Sequence, residues 1–128
     1  MATQLADQFI EALQKLESDH DVDTIVSLFA DDCEVGNLVS NEKFHGTDEA
    51  RKFWTHYRET FGDVHSTFQN KIINDHTVAL EWTTEGDNGK GQDVSYRGVS
   101  ILETNGDKVV RFFAYFDPKA LGQQVQQA

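Results

Sequence analysis

The stretch FFAYFDPKAL, residues 112–121, holds the most chemically suggestive carboxylate of the chain. Asp117 follows an aromatic run and precedes Pro118, the sole proline. A carboxylate pressed against Phe and Tyr rings loses solvent, which raises its pKa toward values useful for acid/base work. The same pair also makes a strong helix start, with Asp as N-cap and Pro in the first helical position. A cap that accepts backbone N–H groups keeps a low pKa, so the two readings oppose each other and the residues leave both open. Elsewhere Tyr96 and Trp82 each bring a polar hydrogen to an apolar run, and Asn37 offers an amide. His45, His65 and His76 fall at element ends, where a neutral imidazole is commonplace. No spacing of Asp, Glu and His gathers three ligands, so no metal is expected, and no cofactor either.

The elements that must position these groups follow from periodicity. Leu5, Phe9, Ala12, Leu13 and Leu16 form one helical stripe. Asp21 is a good cap for a second short helix carrying Val22, Ile25, Val26 and Phe29. ADDCEVGNL reads as a short strand, its acidic ADD run as solvation of the preceding helix end. A third helix starts at GTDEARKFWTHYRETF, with Thr47 as cap and Asp48 and Glu49 on the positive end of its dipole. Ala50, Phe53, Trp54, Tyr57 and Phe61 form its buried stripe. After Gly62 the period changes to two: VHSTFQNKII, TVALEWTTEG, DVSYRGVSILE and KVVRFFAYF are four strand-like runs. Asn105-Gly106 marks the last hairpin.

Helices first and an antiparallel meander after them make the class α+β: three N-terminal helices on an antiparallel sheet of four to six strands. At 128 residues the chain is one domain, 1–128, with a core over about 5–122 and a frayed tail at 123–128. Alternation sends Val78, Leu80, Trp82 and Thr84 one way and Ala79, Glu81 and Thr83 the other. In the last run Phe112, Ala114 and Phe116 oppose Arg111, Phe113 and Tyr115. Both of its faces are apolar while the helices cover only one, so a homodimer through the sheet face is expected. Arg97 and Arg111 are expected to meet that partner or carboxylates such as Glu81 and Glu103.

The formal net charge of −11 disfavours nucleic acid and anionic membrane surfaces as partners. Cys33 is the only cysteine, which excludes an internal disulfide and fits a reducing compartment. With neither a signal-like start nor a membrane-length apolar run, the expected location is cytoplasmic.

The order helix, helix, LFADDCEV, FHG, helix, meander and terminal YFD resembles the nuclear transport factor 2-like superfamily, and within it the SnoaL-like and ketosteroid isomerase-like domains. The resemblance implies a cone in which the sheet curls around the helices and leaves an apolar pocket. Its lining would come from Trp54 and Tyr57 of the third helix, from Leu80 and Trp82, from Tyr96 and Ser100, and from Phe112 and Phe116, with Asn37 beside them. Ordinary core packing is the alternative for each of these. The ketosteroid isomerase roles do not carry over. The base position holds Asn37, and the two donor positions fall at about Leu13 and Gly98, so that activity is not expected. Scytalone dehydratase resemblance would need a histidine pair, and none of the histidines falls on a convincing match. In SnoaL-like cyclases an aspartate near the end of the meander is the acid/base, and Asp117 is its match. The sequence therefore implies a domain that binds a small hydrophobic molecule or, alternatively, a cofactor-free acid/base enzyme (cyclase, isomerase, dehydratase or hydrolase) using Asp117.

Overall fold

The computed structural model describes residues 2–38 and 43–117. The helices among these are α1 (Ala2–Asp19), α2 (Val22–Val26) and α3 (Gly46–Glu59), and the first two strands lie between α2 and α3. The strands are β1 (Phe29–Asn37), β2 (Phe44–His45), β3 (Val64–Ile73), β4 (Thr77–Asp87), β5 (Asp93–Asn105) and β6 (Lys108–Phe116). They form one sheet in the order β2-β1-β6-β5-β4-β3. The α+β architecture stands, and β3 to β6 are the expected antiparallel meander. One difference is topological: β1 lies parallel to β6, which makes the sheet mixed. The two-residue strand β2 adds an edge that the sequence pattern did not reveal. Register shifts in β1, β3 and β5 mark irregularities of the kind that bend strands.

Local chemistry explains the boundaries. The Asp21 carboxylate accepts from the backbone N–H of Thr24 at 3.2 Å and from its hydroxyl at 2.7 Å, so it caps α2 as its sequence suggests. These bonds hold its pKa below the ordinary 3.8. Phe29 is not part of α2; it opens β1, because α2 ends at Val26 and the chain turns through Ser27 and Leu28. Thr47 is not the α3 cap. Gly46 adopts φ 83, His45 is the cap residue without a side-chain bond, and Glu49 reaches back to the His45 backbone N–H at 2.6 Å. That return bond satisfies a backbone N–H at the start of α3 that has no intrahelical partner. Asp31 and Asp32 are exposed in β1 and do not solvate a helix end. The last hairpin turns on Gly106 and Asp107, with Asn105 and Lys108 paired across it and Gly106 at φ 65.

The core lies between the helices and the concave face of the sheet. The whole α1 stripe is buried, as are Val78, Leu80, Trp82 and Thr84 on β4. Burying one such large apolar side chain contributes about 1.5–3 kcal/mol, so this stripe-on-sheet contact is the main stabilising element. Beneath α3 the rings interlock edge to face, with Trp54 at 4.9 Å from both Phe53 and Phe112, and Phe9 and Phe29 beyond.

Candidate functional site

Every aromatic residue proposed from sequence for a pocket wall lies on the concave side. Phe112, Trp54, Trp82 and Tyr96 are buried, and Tyr57 and Phe116 are partly so. Tyr96 and Phe116 pack at 5.4 Å and Trp82 and Phe116 at 6.1 Å, so three strands build one aromatic wall. The indole N–H of Trp82 donates to Ser100 Oγ at 2.9 Å, which turns a candidate ligand contact into an internal bond. Gly98 makes this geometry available. A Cβ there would stand 2.8 Å from Trp82 Cζ2 and from Phe116 Cβ, and would collide with the Tyr115 carbonyl oxygen. Leu80 is fully buried behind the wall.

Asn37 ends β1 opposite Ala114 and is half-buried. Asp117 directly follows Phe116 and is exposed. Pro118 and any helix it would start lie outside the described residues. His45 and His65 are exposed in strands, and His76 is exposed in the β3–β4 turn. Among the described residues no group of three metal-binding side chains occurs.

The polar centre of the concave face is one the sequence reading missed. Glu17, only 3% exposed, projects from the last turns of α1. Its Oε1 accepts from the backbone N–H of Ser66 at 2.8 Å. Its Oε2 accepts from Ser66 Oγ at 2.5 Å and from the Tyr57 hydroxyl at 2.8 Å. Ser66 Oγ lies 2.7 Å from Thr84 Oγ1. Arg58, also buried, donates from Nε to the Glu17 carbonyl and from a guanidinium NH2 group to the Phe61 carbonyl, both at 3.0 Å. Four elements, α1, α3, β3 and β4, thus meet around one enclosed carboxylate. Burial raises the pKa of both Tyr57 and Tyr96, and the negative charge of Glu17 adds to it. A raised tyrosine pKa stabilises the fold fully below the ordinary value, given as 10.0. That stabilisation is then lost as pH climbs toward the folded-state value. We expect both phenols to stay protonated in the native protein above pH 10 and to ionise only on unfolding. Ultraviolet phenolate absorption and circular dichroism should show coincident alkaline transitions; two phenols ionising beforehand would contradict this.

The best-formed hollows bounded by described residues lie elsewhere. One is the turn Asn74–Thr77, and the other runs between Gln4, Gln8, Ser27 and Lys108. The aromatic rings of the interior pack on one another, with one irregularity. Trp54 is 2% exposed, yet its Nε1 has no hydrogen-bond partner among the described residues.

This arrangement of helices on a bent mixed sheet has known relatives. The SnoaL-like domain pattern matches residues 6–112. The chain belongs to the SnoaL-like domain family. Among the solved structures, the SnoaL-like domain described here resembles an NTF2-like protein from Anabaena variabilis ATCC 29413, with 18% identity and a TM-score of 0.84 over 94% of this chain and 92% of that one. It also resembles TerC co-crystallised with polyporic acid, with 16% identity and a TM-score of 0.83 over 97% of each chain. A third is an LEH-like epoxide hydrolase of M. tuberculosis, with 15% identity and a TM-score of 0.76 over 98% of this chain and 92% of that one. At such identities the likeness establishes the fold and no more. No curated protein matches this chain. No helix among its described residues is long and apolar enough to cross a membrane.

Proposed function

We propose that this SnoaL-like domain binds a small, largely apolar molecule carrying a hydrogen-bond acceptor, held among the rings between α3 and the sheet. The observation behind this reading is the indole N–H of Trp54, buried without an acceptor among Phe9, Phe29, Phe53 and Phe112. A buried donor left unmatched costs about 1–3 kcal/mol, which a ligand carbonyl or ether oxygen would recover. TerC, of the same fold, was co-crystallised with polyporic acid, which adds support. The chain has two tryptophans, so a 15N–1H spectrum separates Trp54 from the internally bonded Trp82. Acetophenone should move the Trp54 indole signal downfield and bind more tightly than ethylbenzene, and Trp54→Phe should remove the difference. Equal binding of ketone and hydrocarbon would defeat the reading. Acid/base catalysis at Asp117 has weaker support, because that carboxylate is exposed.

The same reading includes a homodimer. On the outer face Ile72, Ala79, Ile101 and Phe113 are paired neighbours across β3 to β6, and the Phe113 ring covers Gly36 of β1. Ile72 is 70% exposed and Tyr115 42%. Arg111 binds Glu103 at 3.3 Å and stacks over Phe113, framing the row with charge. A second copy would cover this apolar row isologously. Light scattering should give twice the chain mass, reduced to one by Ile101→Lys; a monomeric mass for the unaltered protein at micromolar concentration would refute the dimer.

A further inference from the structure

The chain contains two Asn-Gly pairs, Asn88-Gly89 and Asn105-Gly106. In such a pair the glycine main-chain nitrogen can attack the asparagine carboxamide, because glycine carries no Cβ to block the approach. The structure holds the two pairs differently. Asn88 Oδ1 accepts from the Lys90 N–H at 2.8 Å and from the Gln92 N–H at 3.3 Å. Asn88 Nδ2 donates to Gln92 Oε1 at 3.3 Å. The Gly89 N–H, which would supply the nucleophile, donates to Asp87 Oδ1 at 2.8 Å. A carboxylate on that N–H opposes the negative charge that its deprotonation would create. Electrophile and nucleophile are therefore both engaged. At the tip of the β5–β6 hairpin Asn105 and Gly106 are exposed, and no hydrogen bond among the described residues holds the Asn105 carboxamide or the Gly106 N–H. A side chain on Gly106 would meet nothing within 4 Å, so the space for ring closure is open. Asn105 sits in the last rung of the ladder, opposite Lys108, where strand ends open most readily.

We propose that Asn105 is a self-modifying site: in the folded protein it converts to isoaspartate and aspartate while Asn88 persists. The step balances with water as the co-reactant. Solvent base removes the Gly106 N–H proton, and the nitrogen forms a bond to Asn105 Cγ. The Cγ–Nδ2 bond breaks, and ammonia leaves, carrying the equivalent of that proton and closing a cyclic imide. Water then opens the ring. Cleavage of the Cγ–N bond gives aspartate, and cleavage between the main-chain carbonyl carbon and nitrogen gives isoaspartate. Nothing is oxidised or reduced. Either product puts a carboxylate opposite Lys108. Isoaspartate also routes the main chain through the side-chain methylene, and so lengthens it at a rung whose neighbours are tied to other elements. The Thr104 N–H donates to the His76 carbonyl and the Val109 N–H to the Leu28 carbonyl, both at 2.8 Å. Lys108 Nζ donates to the Ser27 carbonyl at 2.7 Å. The modification thus loosens the hairpin where it joins the β3–β4 turn and the start of β1.

The test incubates the purified protein in mildly alkaline buffer beside a sample held unfolded in guanidinium chloride. Peptide mapping by mass spectrometry, with isoaspartate separated from aspartate, follows both positions over time. In the folded sample Asn105 is expected to convert at least about tenfold faster than Asn88, the factor for breaking side-chain hydrogen bonds before ring closure. In the unfolded sample, where those bonds are gone, the two rates should agree within about threefold. Conversion of Asn88 as fast as Asn105 in the folded protein would overturn the assignment. So would an Asn105 that persists in the folded protein while the unfolded chain is modified. An undiminished preference for Asn105 in the unfolded sample would trace it to the flanking residues and overturn the structural account.

Discussion

Glu17→Ala is expected to lower the unfolding free energy by about 3–5 kcal/mol, the range for removing one partner from a buried charged network. The loss has two parts. The Ser66 N–H, the Ser66 hydroxyl and the Tyr57 hydroxyl each lose their acceptor inside the core. The methylenes of Glu17 also leave a void where α1 meets β3. Urea denaturation gives the free energy directly, and a thermal midpoint lower by about 10–20 °C should accompany it. Glu17→Gln keeps the volume and one acceptor oxygen, so its loss should be smaller. A Glu17→Ala loss below about 1 kcal/mol would mean that water replaces the carboxylate and that the centre is not closed.

Gly98→Ala is expected to cost about 3 kcal/mol, although it adds one methyl group. The obstacle is largely backbone: the new Cβ meets the Tyr115 carbonyl oxygen across the β5–β6 ladder, which cannot swing aside as a side chain would. It also meets Trp82 Cζ2 and Phe116 Cβ at 2.8 Å. Relief would push the indole away from Ser100 and break a buried bond. The variant should therefore lose stability and shift the Trp82 indole signal while the Trp54 signal stays in place. Unchanged stability with an unmoved Trp82 would show that the wall is loosely packed.

Periodicity made much of this fold legible. The α1 stripe, the Asp21 cap, the four meander strands and the inward face of β4 all follow from apolar spacing. Pairing over long sequence distance did not. The parallel register of β1 on β6 and the short β2 depend on contacts that no local pattern encodes. The polar centre was missed for a specific reason. Glu17 and Arg58 were left out of the apolar stripes of α1 and α3, yet each sits four residues after a buried one, Leu13 and Trp54, and so continues its helix stripe. Ser66 and Thr84 likewise occupy inward positions of β3 and β4. Spacing carried the signal, and residue type masked it, because a charge is sent inward only when partners on other elements await it. Ser66 lies 49 positions from Glu17 along the chain. For Asp117 the sequence located the residue beside the aromatic wall but not its exposure.

The parallel union of β1 with β6 has a consequence for biosynthesis. β1 is made early, whereas its neighbour on the inner side of the sheet is the last strand described here. Until that strand leaves the ribosome, Phe29, Cys33 and Val35 have no Val109 or Phe112 to close over them. Nascent chains thus carry an uncovered greasy edge for most of translation, and such edges are what chaperones hold and what aggregation begins from. The final hairpin, tight and local, acts as the latch that ends this exposure.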